Sequence, residues 1–150
     1  MKKISGKISV DVTYRGSVYP AQCDHMGHMN VQWYVAKFDE ATWNFLASIG
    51  ITSSYMRENN RGMAALEQHI KYMRELNAGD IITVRSQLTE LSGKIIKFRH
   101  EMFNGETGEL ASTTDQVACH LDTTLRKSIA FEDHIISKGE NMLKEQGSGD

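Results

Sequence analysis

The chain has 150 residues, 40% of them hydrophobic, and sets 17 Lys+Arg against 19 Asp+Glu for a formal net charge of -2. That length suits a single domain, read here as 1–150, with a core that stands without disulfides. The balanced and interspersed charge excludes the clustered basic excess of a nucleic-acid binder, and no apolar run approaches the roughly 20 residues that cross a bilayer. The two cysteines, Cys23 and Cys119, form no disulfide framework, so a reducing, cytoplasmic setting is expected. Lys2 and Lys3 are followed by Ser5, Gly6, Lys7 and Ser9, which interrupt any apolar stretch of a signal peptide.

Residues 1–8 read as a loose start. Val10 to Tyr19 alternates with period two, as a strand does, and Pro20 closes it. Next comes a polar loop, Gln22-Cys23-Asp24-His25-Met26-Gly27-His28-Met29-Asn30. It runs into a helix from about Val31 to Ile49, with Asn30 as N-cap and Gly50 just past the end. The buried stripe of that helix is read as Val31, Tyr34, Val35, Phe38, Ala41, Phe45, Leu46 and Ile49. Trp33, Ala36, Trp43 and Ala47 gather on the other side around Glu40, so a subunit or a ligand is expected there. Thr52 to Arg61 is polar, a short helical turn or a loop.

Strands follow. Met63 to Met73 sets Ala65, Glu67, His69 and Lys71 against Leu66, Gln68, Ile70 and Tyr72. Asn77-Ala78-Gly79-Asp80 is a turn. Ile81 to Leu91, Lys94 to Phe103 and Glu109 to Asp122 are joined by hairpins at Ser92-Gly93 and at Asn104 to Gly108. The tail from Phe131 holds at most a short helix, with order expected to end near 138. Sequential hairpins make an antiparallel sheet. With one helix of about five turns laid across it, this is an α+β chain, and the arrangement matches the hotdog fold: an antiparallel sheet wrapped around one long central helix.

The loop places a carboxylate, Asp24, before a helix start. Free N–H groups and the positive end of the helix dipole lie there, a place able to stabilise a developing oxyanion. Asp24 with Gly27, His28 and Asn30, then Tyr34 and Phe38-Asp39-Glu40-Ala41, resembles the 4-hydroxybenzoyl-CoA thioesterase branch of hotdog acyl-CoA thioesterases. Lys71-Tyr72-Met73-Arg74-Glu75-Leu76-Asn77-Ala78-Gly79-Asp80 resembles the strand-and-turn segment of that branch. The fuller strings from Cys23 to Asn30 and from Phe38 to Trp43 are similar to thioesterases of carnitine breakdown, which act on betainyl-CoA. The resemblance covers roughly Tyr14 to Phe131. It implies hydrolysis of a short or polar acyl-CoA at a site shared between subunits of a homodimer or homotetramer. It puts Asp24 on the catalytic carboxylate and Val31 on the backbone N–H offered to the thioester oxygen. His25 and Met26 stand where many relatives carry small residues or proline.

Asp24 either attacks the thioester carbon or takes a proton from water; the plainer alternative is that it only orders the loop. His28 either orients that chemistry or bonds the loop backbone. Asn30, Trp33, Tyr34, Glu67 and Met29 complete the candidate substrate contacts. Trp33, Trp43 and Tyr34 are also considered as a cage for a quaternary ammonium. Arg74, Lys97, Arg99, Arg126 and Lys127 are candidates for the CoA phosphates. His25 and His28 with Cys23 and His69 lack the paired spacings of a zinc site, so no metal is expected. No cofactor is expected beyond the CoA of the substrate. His69, His100 and His120 read as surface or interface residues. The rival readings are a hotdog hydratase or dehydratase and a non-catalytic acyl-CoA binder.

Overall fold

Residues 11–147 are described by the computed structural model; the expectation of a loose start over 1–8, the beginning of the expected strand at Val10 and the last three residues of the tail lie outside them. Alternating segments become strands β1 (Asp11–Ser17), β2 (Arg61–Tyr72), β3 (Ile81–Ser92), β4 (Ile95–Asn104), β5 (Leu110–Asp122) and β6 (Lys127–Ser128). Helices are α1 (Val31–Ser48), α2 (Ser53–Asn59) and α3 (Asp133–Gly147). All pairings are antiparallel, in the order β1-β3-β4-β5-β2, with β6 beside β5. β2, the strand that follows the helices in sequence, therefore closes the far end of the sheet.

One face of α1 fills the concave side of the sheet. Phe38, Ala41, Phe45, Leu46 and Ile49 are at most 2% exposed; each large side chain so buried contributes about 1.5–3 kcal/mol. Phe45 and Leu46 meet Leu88, Ile96 and Phe98, and Phe38 and Ala41 meet Ile82, Val84 and Met102. The stripe read from spacing is corrected at its start. Val31 and Val35 are exposed, and Lys37 is buried in their stead at 3%. The apolar stem of Lys37 packs while its Nζ reaches Tyr14 Oη and Ser17 O, each at 3.3 Å.

Bulges reset the faces. In β2 the register with β5 shifts between Ala65 and Glu67, so Ala65 pairs with Ala118 and Gln68 with Gln116. Ala65 thereby joins Gln68, Ile70 and Tyr72 on the side toward α1, and Glu67 falls on the other. The hairpin after β3 turns at Gly93-Lys94, one residue later than read, with Gly93 at φ +58°. α2 forms under a Thr52 cap whose Oγ1 accepts from Tyr55 N at 3.1 Å. α3 continues well past 138 because Ile136, Met142 and Leu143 pack on the core and the Gln146 amide pairs with Leu88 N and O.

Two histidines read as surface residues are buried completely. His120 sits between Tyr55 Oη (2.9 Å from Nε2) and Ile129 O (3.1 Å from Nδ1). His100 links β4 to α1 and β3. The Thr42 hydroxyl donates to Phe38 O at 3.0 Å, so it accepts from His100 Nε2 at 2.8 Å. The Nδ1 atom then accepts from Ser86 Oγ at 2.5 Å, and Ser86 Oγ accepts from Thr13 Oγ1 at 2.7 Å. The ring is neutral in this chain, and burial holds its pKa down at about 3.

That depression makes an acid-sensitive core. Between the unfolded value of about 6.5 and the folded value of about 3, the unfolded chain binds the proton and the folded chain does not. Stability is present above pH 6.5 and falls as the pH drops below it, with a slope approaching about 1.4 kcal/mol per pH unit from this residue. Urea unfolding measured from about pH 7 to pH 4 is expected to show the loss, and His100→Gln to flatten it. Ser86→Ala, which strips Nδ1 of its donor, is expected to cost about 1–3 kcal/mol at neutral pH.

Candidate active site

The loop from Cys23 to Asn30 is closed by its own backbone. Asp24 N donates to His28 O at 3.1 Å, Gly27 N to Asp24 O at 2.9 Å, and Asn30 N to Gln22 O at 2.9 Å. Gly27 sits at φ +90°, a left-handed backbone that favours glycine. Asp24 Oδ1 accepts from Met26 N at 2.8 Å, and its Oδ2 accepts from Asn30 Nδ2, also at 2.8 Å. Both bonds favour the ionised form and hold the Asp24 carboxyl below its ordinary value, the Asn30 amide contributing most.

Asn30 serves the helix with its other end. Its Oδ1 accepts from Gln32 N at 3.0 Å and its carbonyl from Trp33 N at 3.0 Å. The N–H of Val31, first in the helix, has no intrahelical acceptor, and among the described residues no other group takes it. One free donor therefore remains on the helix start beside the carboxylate.

The opposite wall is the chain leaving β2. Met73 N and Arg74 N share Ala111 O at 2.8 and 3.1 Å, and Met29 N donates to Leu76 O at 2.8 Å. Tyr34 Oη donates to Arg74 O at 3.4 Å. Burial pushes the Tyr34 phenol up, so it stays a neutral donor. Between loop and strand end lies a cavity of about 250 Å³. Asp24, Met26, His28, Met29, Val31 and Tyr34 line one side, Tyr72, Met73, Arg74 and Glu75 the other. His28 Nε2 stands 3.4 Å from Glu75 Oε1.

Five of the residues read from sequence thus share one cavity, with Asn30 bonded behind Asp24. Three do not. Trp33, in the first turn of α1, packs against the core. Trp43 lines a separate hollow with Asn44, Ala47 and Met56, so the two tryptophans build no common cage within one chain. Glu67, turned outward by the bulge, lines another hollow with His69, Lys97 and Asp115. Tyr72 and Glu75 are not among the site residues that the sequence singles out, although it singles out the stretch that carries them. Of the basic candidates for phosphate, Arg74 alone lines the cavity, and Glu109 holds its Nε at 3.0 Å. Lys97 pairs with Glu90, and Arg99 with Asp115 and Glu101. Among the described residues no group of three His, Cys, Asp or Glu is placed to hold a metal, and no helix is long and apolar enough to cross a membrane.

The sheet curled on one helix, with an acidic loop at that helix's start, defines a hotdog-fold thioesterase. Residues 18–139 match the model of the thioesterase-like superfamily, and the chain belongs to that family. It is 26% identical over 132 residues to the betainyl-CoA thioesterase of Pseudomonas aeruginosa, covering 88% of this chain and 83% of the relative. It is 28% identical over 156 residues to the L-carnitine dehydrogenase/betainyl-CoA thioesterase of Agrobacterium fabrum. That match covers 97% of this chain and 32% of the relative, so the chain spans about a third of that protein's length. A hypothetical protein from Staphylococcus aureus solved in complex with CoA superposes with a TM-score of 0.85 at 23% identity, covering 95% of this chain and 90% of its own. That likeness shows the fold.

Asn30 is the residue on which loop and helix both lean. Asn30→Ala is expected to lower stability by about 1 kcal/mol through the lost cap. It is also expected to move the Asp24 titration up toward the ordinary carboxylate range, as followed by carboxylate NMR. An unmoved titration would separate the cap from the carboxylate.

Proposed function

We propose that the chain hydrolyses acyl-CoA thioesters in the Asp24 cavity. The single observation that carries this is an ionised carboxylate, fixed by Met26 N and Asn30 Nδ2, sharing a cavity wall with the unspent N–H of Val31. A thioester carbonyl placed with its oxygen on that N–H would gain stabilisation as the oxygen becomes anionic. Asp24 would then act in one of two ways. It attacks the carbonyl carbon, the C–S bond breaks, thiolate leaves, and water opens the mixed anhydride. Alternatively it takes a proton from the water that attacks. His28 would orient either the carboxylate or that water. The chemistry draws on no group beyond the CoA of the substrate.

A small acyl group suits the site. The relatives named above as betainyl-CoA thioesterases point to a short, polar acyl chain and a place in carnitine metabolism. β2, at the end of the sheet, presents a strand edge that calls for cover. Leu66, Tyr72 and Met73 are exposed along that strand and just beyond it, and Val31 and Val35 on the first turns of α1. These favour a homodimer or homotetramer in which the subunit contact walls the cavity. The free thiols of Cys23 and Cys119 fit the cytoplasm.

Thiol release from a panel of acyl-CoAs that includes betainyl-CoA and 4-hydroxybenzoyl-CoA tests the reading. Hydrolysis is expected, with Asp24→Asn lowering kcat/KM by at least about 100-fold. Conversion of the acyl chain without release of thiol would replace it with a hydratase, and binding without either would leave a carrier.

A further inference from the structure

We infer that Glu75 is a positioning residue that acts through His28, and that His28 takes the proton of the water that opens an Asp24 anhydride. This rests on the hydrolase reading of the cavity and divides its labour: Asp24 attacks, and His28 serves as base. The backbone sets the pair. His28 precedes Met29 and Glu75 precedes Leu76, and Met29 N donates to Leu76 O at 2.8 Å. Met29 and Leu76 are both buried, in the same core cluster. His28 O is also tied to Asp24 N at 3.1 Å, and Arg74 O, just before Glu75, takes the Tyr34 hydroxyl at 3.4 Å. The two side chains are thus anchored on facing walls of one cavity.

His28 Nε2 stands 3.4 Å from Glu75 Oε1, with the Glu75 side chain 70% exposed. That separation is long for a hydrogen bond, as catalytic contacts in unliganded sites commonly are. An exposed pair of this kind adds little to stability, so its worth lies in aim. A carboxylate that accepts from Nε2 fixes the imidazole tautomer and leaves the lone pair on Nδ1. Arg74, the neighbour able to compete for Glu75, is engaged by Glu109 at 3.0 Å. The Asp24 carboxyl is held below its ordinary value by Asn30 Nδ2 and Met26 N, with the His25 and His28 charges adding to the pull. So acidic a group is a weak base, yet it is always ionised and ready to attack. Imidazole is the side chain that exchanges protons near neutrality, and His28 lines the same cavity as Asp24.

The steps balance. Asp24 adds to the thioester carbon, the C–S bond breaks and CoA leaves as thiolate. Water then adds to the acyl carbon of the anhydride and gives one proton to His28 Nδ1. The bond from that carbon to the Asp24 oxygen breaks, which frees the acid and restores the carboxylate. The imidazolium, held against Glu75, passes its proton to the thiolate.

Steady-state and stopped-flow thiol release by the full-length protein, with betainyl-CoA and 4-hydroxybenzoyl-CoA as substrates, reads the two halves apart. kcat/KM reports the chemistry up to loss of thiolate, whereas kcat also reports the opening of the anhydride. Glu75→Gln is expected to lower kcat at least about tenfold, to lower KM in parallel and to leave kcat/KM within about twofold. A burst of thiol, stoichiometric with the protein, is expected before its slow phase. His28→Gln is expected to show the same burst and a fall in kcat of about 100-fold or more. Adding Glu75→Gln to His28→Gln is expected to cost nothing further, because the two act as one unit. An unchanged kcat in Glu75→Gln, a fall in kcat/KM without a burst, or a further full loss in the double variant overturns the pairing. A wild type that releases no thiol ends the hydrolase reading and the pairing with it. A wild type that does, beside variants without a burst, ends the pairing alone.

Discussion

A single side-chain amide ties this molecule's chemistry to its fold. Asn30 turns its oxygen to the first turn of α1 and its nitrogen to Asp24. Neither end is free to exchange, because Gln32 N can only donate and an ionised carboxylate can only accept. The helix start and the acidic group are thereby fixed relative to each other without a long-range contact. A leucine or alanine at position 30 would leave both unsupported. The amide also leaves the N–H of Val31 unspent, since the capping oxygen goes one residue further along. An unspent donor beside an ionised carboxylate is costly in a packed interior; at a cavity mouth it is solvated at rest and available to a ligand.

The rest of the fold holds this unit against its opposite wall. Ala111 O in β5 takes two N–H groups from Met73 and Arg74, and Leu76 O takes Met29 N. The strand end is thus stitched to the sheet on one side and to the Asp24 loop on the other. Beneath it, the His100 chain crosses from β1 through β3 and β4 to α1. A buried polar chain of this kind contributes little net energy when complete, but it penalises every misregistered packing of α1 that would break it. Loss of one hydroxyl would be felt at the helix whose first turn carries the cap.

Much of this was legible from residue order. The alternation of β3 and β4, the caps at Asn30 and Thr52, and the core face from Phe38 to Ile49 follow from local rules that the tertiary structure leaves intact. What escaped was set by contacts between distant segments. A bulge at Leu66 moved Ala65 to the inner face, and no periodicity announces where an extra residue will be accommodated. Lys37 is buried because Tyr14 and Ser17, some twenty residues away, supply oxygens. His100 and His120 are interior because their partners come from α1, β3, α2 and the segment after β6. At the site, the loop half was readable since its groups lie within eight residues of one another. Tyr72 and Glu75 were not, because only the pairing of β2 with β5 brings them over Asp24.

Placement of charge, more than shape, then determines what the cavity can hold. Its walls are apolar at Met29, Met73 and the two tyrosines, acidic at Asp24 and Glu75, and also carry His28 and Arg74. An anionic acyl group would face two carboxylates in a small space, with Arg74 already engaged by Glu109. The length of an acyl chain is set elsewhere, by whatever covers the open side of the cavity.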